Sequence, residues 1–326
     1  MKQARDPAMP FHGGESAVQA RAGTRQHSEA VGTRAFRAYM TDQHREFFGR
    51  LPFIVAAATD SEGQPWTSVF AGPPGFITAP TPERLEIAAL PATTDPLQGL
   101  VAEGRPLGLI GIEPHTRRRN RLNGIVAGMS NGVIAVRVSQ SFGNCPKYIQ
   151  AREACYAPSS PAAGDVRSGD GLDAAARGLI AAADTFFIGS VHPSAHDADC
   201  PAHGVDVSHR GGRPGFVGIV GAGILTIPDY AGNGFFNTLG NLELNPRAGL
   251  LFVDFATGDL LHVCADAEIL WDGPELAATP GAERLLRLHP GRTLLRRSAL
   301  PLRWGPATLS PHLPEAAAAS SRRELS

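Results

Sequence analysis

The chain has 326 residues, of which 43% are hydrophobic and 19% are charged. This length predicts two domains, each with enough apolar residues for a core of its own. The 30 basic and 31 acidic residues leave a net charge of -1, so no overall field attracts nucleic acid or an anionic membrane. No unbroken apolar run reaches the roughly 18 residues that a membrane span needs. We therefore expect neither nucleic-acid binding nor membrane insertion.

Cysteine usage and the N-terminus indicate the compartment. The four cysteines include no C-x-x-C pair, and the N-terminus lacks the apolar segment of a secretory signal. We expect reduced thiols in a cytoplasmic protein. The 37 glycines and 27 prolines predict many turns between short strands.

Five regions follow one another along the chain. Residues 1–50 are a helical extension, and the stretch 33–50 predicts one helix with its aromatic side chains mostly on one face. Residues 51–150 alternate short β-type runs with turns, which is typical of a barrel or sandwich. Residues 151–183 predict a helical linker, residues 184–275 a second β-rich domain, and residues 276–326 a helical segment and tail. The fold class is therefore mainly β, with two antiparallel barrels at roughly 51–148 and 184–272 packed together.

The two β-rich regions share a pattern at a nearly constant offset. SVFAGPPGFI at 68–77 matches SHRGGRPGFV at 208–217, and GLIGIE at 108–113 matches GLLFVD at 249–254. L-x-I at 85–87 likewise matches L-x-I at 225–227. Several matches in register indicate two tandem copies of one domain. In this register Arg121 of the first copy is equivalent to His262 of the second.

The second copy contains a polar turn that the first does not repeat. The stretch 227–255 predicts a strand, a turn, a short helix and a strand, with Asn237, Thr238 and Asn241 near the start of the helix. Free backbone N–H groups at a helix start, with hydroxyl and amide donors beside them, suit a phosphate group. Ordinary turn chemistry is the alternative reading of these residues.

Four longer motifs resemble one family. FHGGESAVQARAG near the N-terminus, QSFGNCPKYI at 140–149, DVSHRGGRPGFV at 206–217 and DYAGNGFFNTLGNL at 229–242 are similar to the pyridoxamine 5'-phosphate oxidase-like superfamily, in its two-domain related branch. The resemblance implies two tandem FMN-binding split barrels, with the flavin at an interface between barrels. It also implies that Asn237, Thr238 and Asn241 hold the flavin phosphate, with Phe236 and Tyr230 near the ring.

The sequence departs from the family at the phosphate turn. Where the family has an Arg-Lys pair, this chain has Leu239-Gly240-Asn241, so the usual positive charges are missing there. We expect arginines from elsewhere to replace them, and the candidates are Arg210, beside His209, and the cluster 117–121. If the duplicated chain imitates the family's dimer, Arg119 and Arg121 of the first copy reach the flavin on the second. The alternative is a solvated loop of basic residues.

A histidine-rich segment at 192–209 contains five possible metal ligands, His192, His196, Cys200, His203 and His209. Their spacing matches no compact zinc motif, so we expect no metal site. His209 is instead a candidate cofactor contact, because it lies just before the repeated G-x-P-G-F turn.

These observations favour an FMN-dependent oxidoreductase that acts on an unidentified small molecule, with no catalytic residue assigned. The alternatives are a flavin- or nucleotide-binding protein without turnover, or a split-barrel protein that uses haem or deazaflavin. The sequence has no G-x-G-x-x-G fingerprint of a second nucleotide domain, so electrons must come from an external donor. We also expect a homodimer.

Overall fold

The computed structural model describes residues 10–158, 164–196 and 200–314. Three helices come first: α1 (Gly13–Arg21), α2 (Arg25–Ala35) and α3 (Asp42–Arg50). The prediction of one helix over 33–50 is wrong, because α2 ends at Ala35 and the chain runs extended from Phe36. The Phe36 ring stacks on Phe142 at 4.0 Å, and the hydroxyl of Thr41 caps α3 by accepting from the backbone N–H of His44.

The first sheet has seven strands. They are β1 (Phe53–Thr59), β2 (Pro65–Ala71), β3 (Ile77–Thr81), β4 (Arg84–Ile87), β5 (Pro106–Glu113), β6 (Arg118–Ser130) and β7 (Val133–Asn144). All pairs are antiparallel, and the spatial order is β2-β1-β5-β6-β7-β4-β3. The strands bury Leu, Ile, Val and Phe against α3, so this sheet and helix share one apolar core.

The segment between the sheets is only partly helical. It contains α4 (Ala174–Ala182), as predicted, but also β8 (Ala154–Tyr156) and β9 (Val166–Asp170). Asp173 caps α4 by accepting from the backbone N–H of Ala176. β9 pairs with a later strand of the second sheet, so much of the predicted linker is built into that sheet.

The second sheet has the same design. Its strands are β10 (Thr185–Val191), β11 (Val205–Gly211), β12 (Gly218–Val220), β13 (Ile224–Tyr230), β14 (Arg247–Val253), β15 (Leu260–Leu270) and β16 (Ala282–Arg296), with α5 (Asn237–Leu244) before β14 and α6 (Pro274–Ala277) before β16. The spatial order is β11-β10-β14-β15-β16-β13-β12, the order of the first sheet strand for strand. The prediction of a mainly β fold with two similar antiparallel units is confirmed.

The C-terminal region departs from the predicted helix over 276–326. β16 lies inside that range and pairs with both β15 and β13, so it is central to the second sheet. Four of its leucines are buried: Leu285, Leu286, Leu288 and Leu295. The last strand, β17 (Leu302–Trp304), pairs with β8. Residues 315–326 of the predicted tail lie outside the described residues.

Two glycines allow the sheets to pack closely. A Cβ on Gly108 in β5 would lie 2.3 Å from the carbonyl oxygen of Val205 in β11, and a Cβ on Gly249 in β14 would lie 2.3 Å from that of Pro65 in β2. Gly108 and Gly249 occupy the same position in the two matching motifs. An apolar core fills the space between the sheets, with contributions from β1 and β5 on one side and β10, β11 and β14 on the other. The two units therefore form one body with a shared interior.

Candidate functional site

A cavity of about 100 Å³ lies between the two sheets. β6 of the first sheet forms one wall, and β11, β13 and the start of α5 from the second sheet form the others. Its polar lining includes Arg119, Arg121, Asn144, Cys145, Ser208, His209, Arg210, Asp229, Asn237 and Thr238, and its aromatic lining includes Tyr148, Phe216, Tyr230 and Phe236.

The N-terminus of α5 opens into this cavity. Asn237, Thr238 and Leu239 form its first turn and line the cavity wall. The preceding residue, Phe236, has a left-handed backbone (φ 59°), and its side chain makes no cap hydrogen bond. The first N–H groups of a helix have no partner within the helix and carry partial positive charge. This wall therefore presents backbone donors to an anion.

Arg121 connects the first sheet to this helix. The guanidinium is buried, and its Nη1 donates to the Asn237 side-chain oxygen at 2.9 Å. Its Nη2 donates to the Ser208 hydroxyl, which shares a further hydrogen bond with the Thr238 hydroxyl. Burial lowers the pKa of Arg121 to about 10, against the opposing effect of Asp206, so the charge remains at neutral pH. The two sheets are thus joined at the site by a polar network.

Arg119, two residues away on the same face of β6, is bound differently. Its Nε donates to the Cys145 carbonyl oxygen at 2.8 Å, and its two terminal nitrogens lie 3.3 Å from His209 Nδ1 and 3.6 Å from Cys145 Sγ. Burial lowers the pKa of Arg119, and no carboxylate of the described residues pairs with it to offset that effect. A half-buried guanidinium without a carboxylate partner favours the binding of an anion.

The same contact sets the protonation of His209. A guanidinium can only donate, so His209 Nδ1 accepts and the ring carries its hydrogen on Nε2. Burial and the charges of Arg119, Arg210 and Arg152 hold the pKa of His209 well below its usual range. His209 is therefore a neutral hydrogen-bond donor beside the cavity at physiological pH.

Arg210 carries a charge that is largely balanced. It pairs with the buried Asp229, which also pairs with Arg284 at 3.2 Å. The Arg284 guanidinium lies 4.7 Å from the centre of the Phe236 ring and so supports the residue that precedes α5. Arg284 also pairs with Glu283, so the charges of Arg210 and Arg284 are matched by two carboxylates.

Several buried polar atoms around the cavity have no hydrogen-bond partner among the described residues. They are both side-chain polar atoms of Asn144, the Nε of Arg121 and the Nε of Arg210. A buried polar atom without a hydrogen bond costs roughly 1–3 kcal/mol. A ligand with acceptor and donor groups would satisfy these atoms, and a phosphate group joined to a flat heterocycle has both. The residues present therefore fit FMN.

The structure places eight of the nine predicted cofactor contacts around this cavity. These are Arg119, Arg121, His209, Arg210, Tyr230, Phe236, Asn237 and Thr238. The ninth, Asn241, is fully buried behind the wall and donates to Asp206 at 2.9 Å and to Ser190 at 3.2 Å. It positions α5 against β11 and does not reach the cavity.

Sequence reasoning missed Ser208 as a contact, and Asn144, Cys145 and Tyr148 as lining residues. The last three belong to the motif QSFGNCPKYI, whose resemblance to the family was noted without a role for its residues. Tyr148 lies beside Tyr230, with ring centres 5.3 Å apart, and its hydroxyl donates to the Ala231 carbonyl oxygen. Together these rings, whose planes are inclined by 40°, form an aromatic edge to the cavity.

The N-terminal helix also supports the site. Glu15 in α1 is buried and accepts a hydrogen bond from the Asn237 side chain, and a Cβ on Gly14 would lie 2.1 Å from the Gly240 carbonyl oxygen. Burial and the nearby Asp206 raise the pKa of Glu15 well above its usual range. The motif FHGGES therefore corresponds to a helix that packs directly on α5.

Two histidines of the histidine-rich segment lie together with His12, outside the cavity lining. The His192 and His203 rings stack at 3.8 Å, and His12 lies 4.7 Å from His192. In the part of the chain that the structure describes, no group of three His, Cys, Asp or Glu side chains could hold a metal ion. Residues 197–199 of this segment lie outside that part. His209 is separate from this cluster and lines the cavity.

No family model and no curated protein matches the chain. Among solved structures, the chain is similar to a putative pyridoxamine 5'-phosphate oxidase from Lactobacillus delbrueckii (16% identity, 32% of this chain and 95% of that chain, TM-score 0.26). It is also similar to HutZ, a haem storage protein from Vibrio cholerae (15%, 39% and 95%, TM-score 0.27), and to an FMN-binding protein from Syntrophomonas wolfei (10%, 36% and 86%, TM-score 0.25). These neighbours are split-barrel proteins of the pyridoxamine-phosphate-oxidase type. In the described ranges, no helix has the length and apolar character needed to cross a membrane.

Proposed function

We propose that the protein is an FMN-dependent oxidoreductase of the two-domain pyridoxamine 5'-phosphate oxidase-related branch, acting on a small molecule. The observation that carries the proposal is Arg119, a half-buried guanidinium that faces a cavity without a carboxylate partner among the described residues. The uncapped N-terminus of α5 faces the same cavity. Both features favour a phosphate-bearing ligand over a neutral one.

The chain's own residues would divide the work in the following way. Arg119 and the backbone N–H groups of Asn237 and Thr238 would hold the phosphate, while Tyr230 and Phe236 would lie beside the ring. The flavin, when bound, supplies the redox chemistry, and the protein supplies position and electrostatics. The Arg121 network keeps α5 in place, so that its donors remain aimed at the ligand.

His209 is proposed as a positioning donor. Because its pKa lies well below the usual range, the ring stays neutral near pH 7 and does not deliver a proton as an imidazolium. Its Nε2–H can donate a hydrogen bond to a flavin or substrate carbonyl. The arrangement predicts that the chemistry does not depend on the titration of this histidine near neutrality.

The partners remain predictions from the sequence: a small-molecule substrate, an external electron donor, a homodimer and a cytoplasmic location. A free reduced nicotinamide is one electron donor that can be offered directly. The experiment must distinguish this enzyme from two alternatives: a flavin-binding protein without turnover, and a split-barrel protein that uses haem or deazaflavin.

The test is spectroscopic. The purified protein should be yellow, or become yellow with added FMN, and the colour should be lost on chemical reduction and return in air. Oxidation of a reduced nicotinamide by the FMN-loaded protein, above the rate of free FMN, supports an enzyme. Binding without reduction by any donor supports the binding protein. A Soret band selects haem, and a colourless protein with no thermal shift at saturating FMN contradicts the proposal.

A further inference from the structure

The shared strand order creates a second position equivalent to the cavity. At the cavity, β6 of the first sheet faces β11 of the second. At the equivalent position, β15 of the second sheet faces β2 of the first. Strand pairing gives the matching residues, since Ala56 pairs with Ser68 just as Ile188 pairs with Ser208. Ser68 is therefore the counterpart of Ser208.

The positive groups of the cavity are replaced at this second position. Ile112 pairs with Arg119 in the first sheet, and Val253 pairs with Leu260 in the second. The same comparison of paired residues identifies a counterpart for each cavity residue on β6, β7 and β11. Four cavity residues have uncharged or apolar counterparts at the equivalent positions: Leu260 for Arg119, His262 for Arg121, Val69 for His209, and Phe70 for Arg210. One cation is added, because Arg296 occupies the place of Asn144. The second position thus keeps one serine hydroxyl and one guanidinium.

A carboxylate of the chain binds to both of these groups. Asp95 lies in the segment between β4 and β5, where the first sheet has turns in place of α5. It is 8% exposed, and its Oδ2 accepts from Ser68 Oγ at 2.6 Å and from Arg296 Nη1 at 2.6 Å. Its Oδ1 accepts from the backbone N–H of Leu97 at 2.9 Å. A hydroxyl, a guanidinium and a backbone N–H are the donor set expected around a phosphate.

His262 completes the second position as a neutral group. Its Nδ1–H donates to the Thr67 carbonyl oxygen at 2.8 Å, and burial lowers its pKa to about 4. The side chain that replaces Arg121 therefore adds no positive charge. The single cation, Arg296, is balanced by the single carboxylate, Asp95.

We propose that the Asp95 carboxylate is a built-in anion that fills the second of two equivalent anion-binding positions. The chain then binds one phosphate-bearing cofactor, at the Arg119 cavity; this stoichiometry rests on the proposed function. Replacing Asp95 by alanine leaves Arg296 buried without its counter-charge. That variant should acquire a new site for inorganic phosphate at Ser68 and Arg296, whatever the cavity binds.

The experiment is a calorimetric titration of inorganic phosphate at constant ionic strength. Asp95→Ala should bind one phosphate more per chain than the wild type. The matched control, Asp95→Ala with Arg296→Met, should lose that extra site or bind it at least about tenfold more weakly. An unchanged number of sites in Asp95→Ala, or two FMN molecules per wild-type chain, overturns the proposal.

Two further results distinguish failure of this inference from misfolding of the variant and from failure of the proposed function. If Asp95→Ala does not remain folded in chloride, its refolding yield is compared in phosphate and chloride of equal ionic strength. Because phosphate stabilises folded proteins in general, the control is Asp95→Ala with Arg296→Met. A larger gain in phosphate for Asp95→Ala than for this double variant supports the built-in anion, and an equal gain overturns it. A wild type that binds neither phosphate nor FMN contradicts the proposed function, while an extra site in Asp95→Ala would still support this inference.

Discussion

Removing Arg119 is the perturbation that most directly addresses how the cavity holds an anion. In Arg119→Ala, the cavity keeps Arg121 and the start of α5 but loses the guanidinium that no carboxylate of the described residues neutralises. The matched control is Arg118→Ala. Arg118 is the neighbour on β6 with its side chain on the opposite face, where it lies 5.5 Å from the Phe47 ring.

The size of the effect follows from the contacts of Arg119. Among the described residues, its terminal nitrogens contact His209 Nδ1 at 3.3 Å and Cys145 Sγ at 3.6 Å and no carboxylate, so a phosphate would replace two weak contacts. A hydrogen bond to a charged group contributes about 1.5–3 kcal/mol. Its loss corresponds to roughly a ten- to hundredfold weaker affinity for FMN. Arg118→Ala should leave the affinity within a factor of about two, since Arg118 lies on the opposite face of β6 and does not line the cavity.

The assay is quenching of flavin fluorescence on titration with protein, with the melting temperature of each variant as a check on folding. If Arg119→Ala binds FMN as tightly as the wild type while remaining folded, the assignment of the phosphate position is refuted. If Arg118→Ala weakens binding equally, the effect is one of general charge.

Three other predictions concern the helix start, the sheet contact and the pH response. Thr238→Val removes a hydroxyl bound to Ser208 and should weaken the affinity for FMN several-fold, by about 1 kcal/mol, in the same titration. An unchanged affinity would contradict the assignment of the start of α5 as the phosphate position. Gly108→Ala and Gly249→Ala each force a Cβ to within 2.3 Å of a carbonyl oxygen and should each destabilise the fold by about 1–3 kcal/mol in urea unfolding. Because the pKa of His262 is about 4 in the folded chain and 6.5 is its ordinary value, the unfolded chain binds more protons between these values. The stability of wild type relative to His262→Gln should therefore fall by up to about 1.4 kcal/mol per pH unit as pH decreases from 6.5 to 4, and a constant difference would contradict the burial of a neutral ring.

Repetition explains why much of the fold was predictable. The equivalence of Arg121 and His262, inferred from spacing, agrees with the strand pairing, in which Ile110 pairs with Arg121 and Leu251 pairs with His262. Arg119 and Arg121 were expected together from the repeat register and from the likeness to the family's dimer. The structure places both on β6, where residues two apart share a face. Local pattern and register were sufficient for these positions.

Other features depend on contacts between distant parts of the chain. β16 lies in the range 276–326, which was predicted as a helical segment and tail. Its leucines are mixed with arginines, so no strict alternation marks a strand, and its pairing with β13 joins residues far apart in sequence. Asp95 and Arg296 form a buried pair across 201 positions, and no local motif marks either residue. Glu15 reaches Asn237 across 222 positions. Such pairs follow from the packing of the two sheets, which a single sequence does not reveal.

The central claim is that a phosphate-bearing flavin binds between the two sheets, and a comparison of FMN with riboflavin tests it most directly. The two ligands share the ring and differ in the phosphate, so their affinities isolate the contribution of Arg119 and the start of α5. We predict that wild-type protein binds one FMN per chain at least about tenfold more tightly than riboflavin, and that Arg119→Ala removes most of this preference. Equal affinity for the two ligands in the wild type, or a preference for FMN that Arg119→Ala leaves intact, would contradict the account.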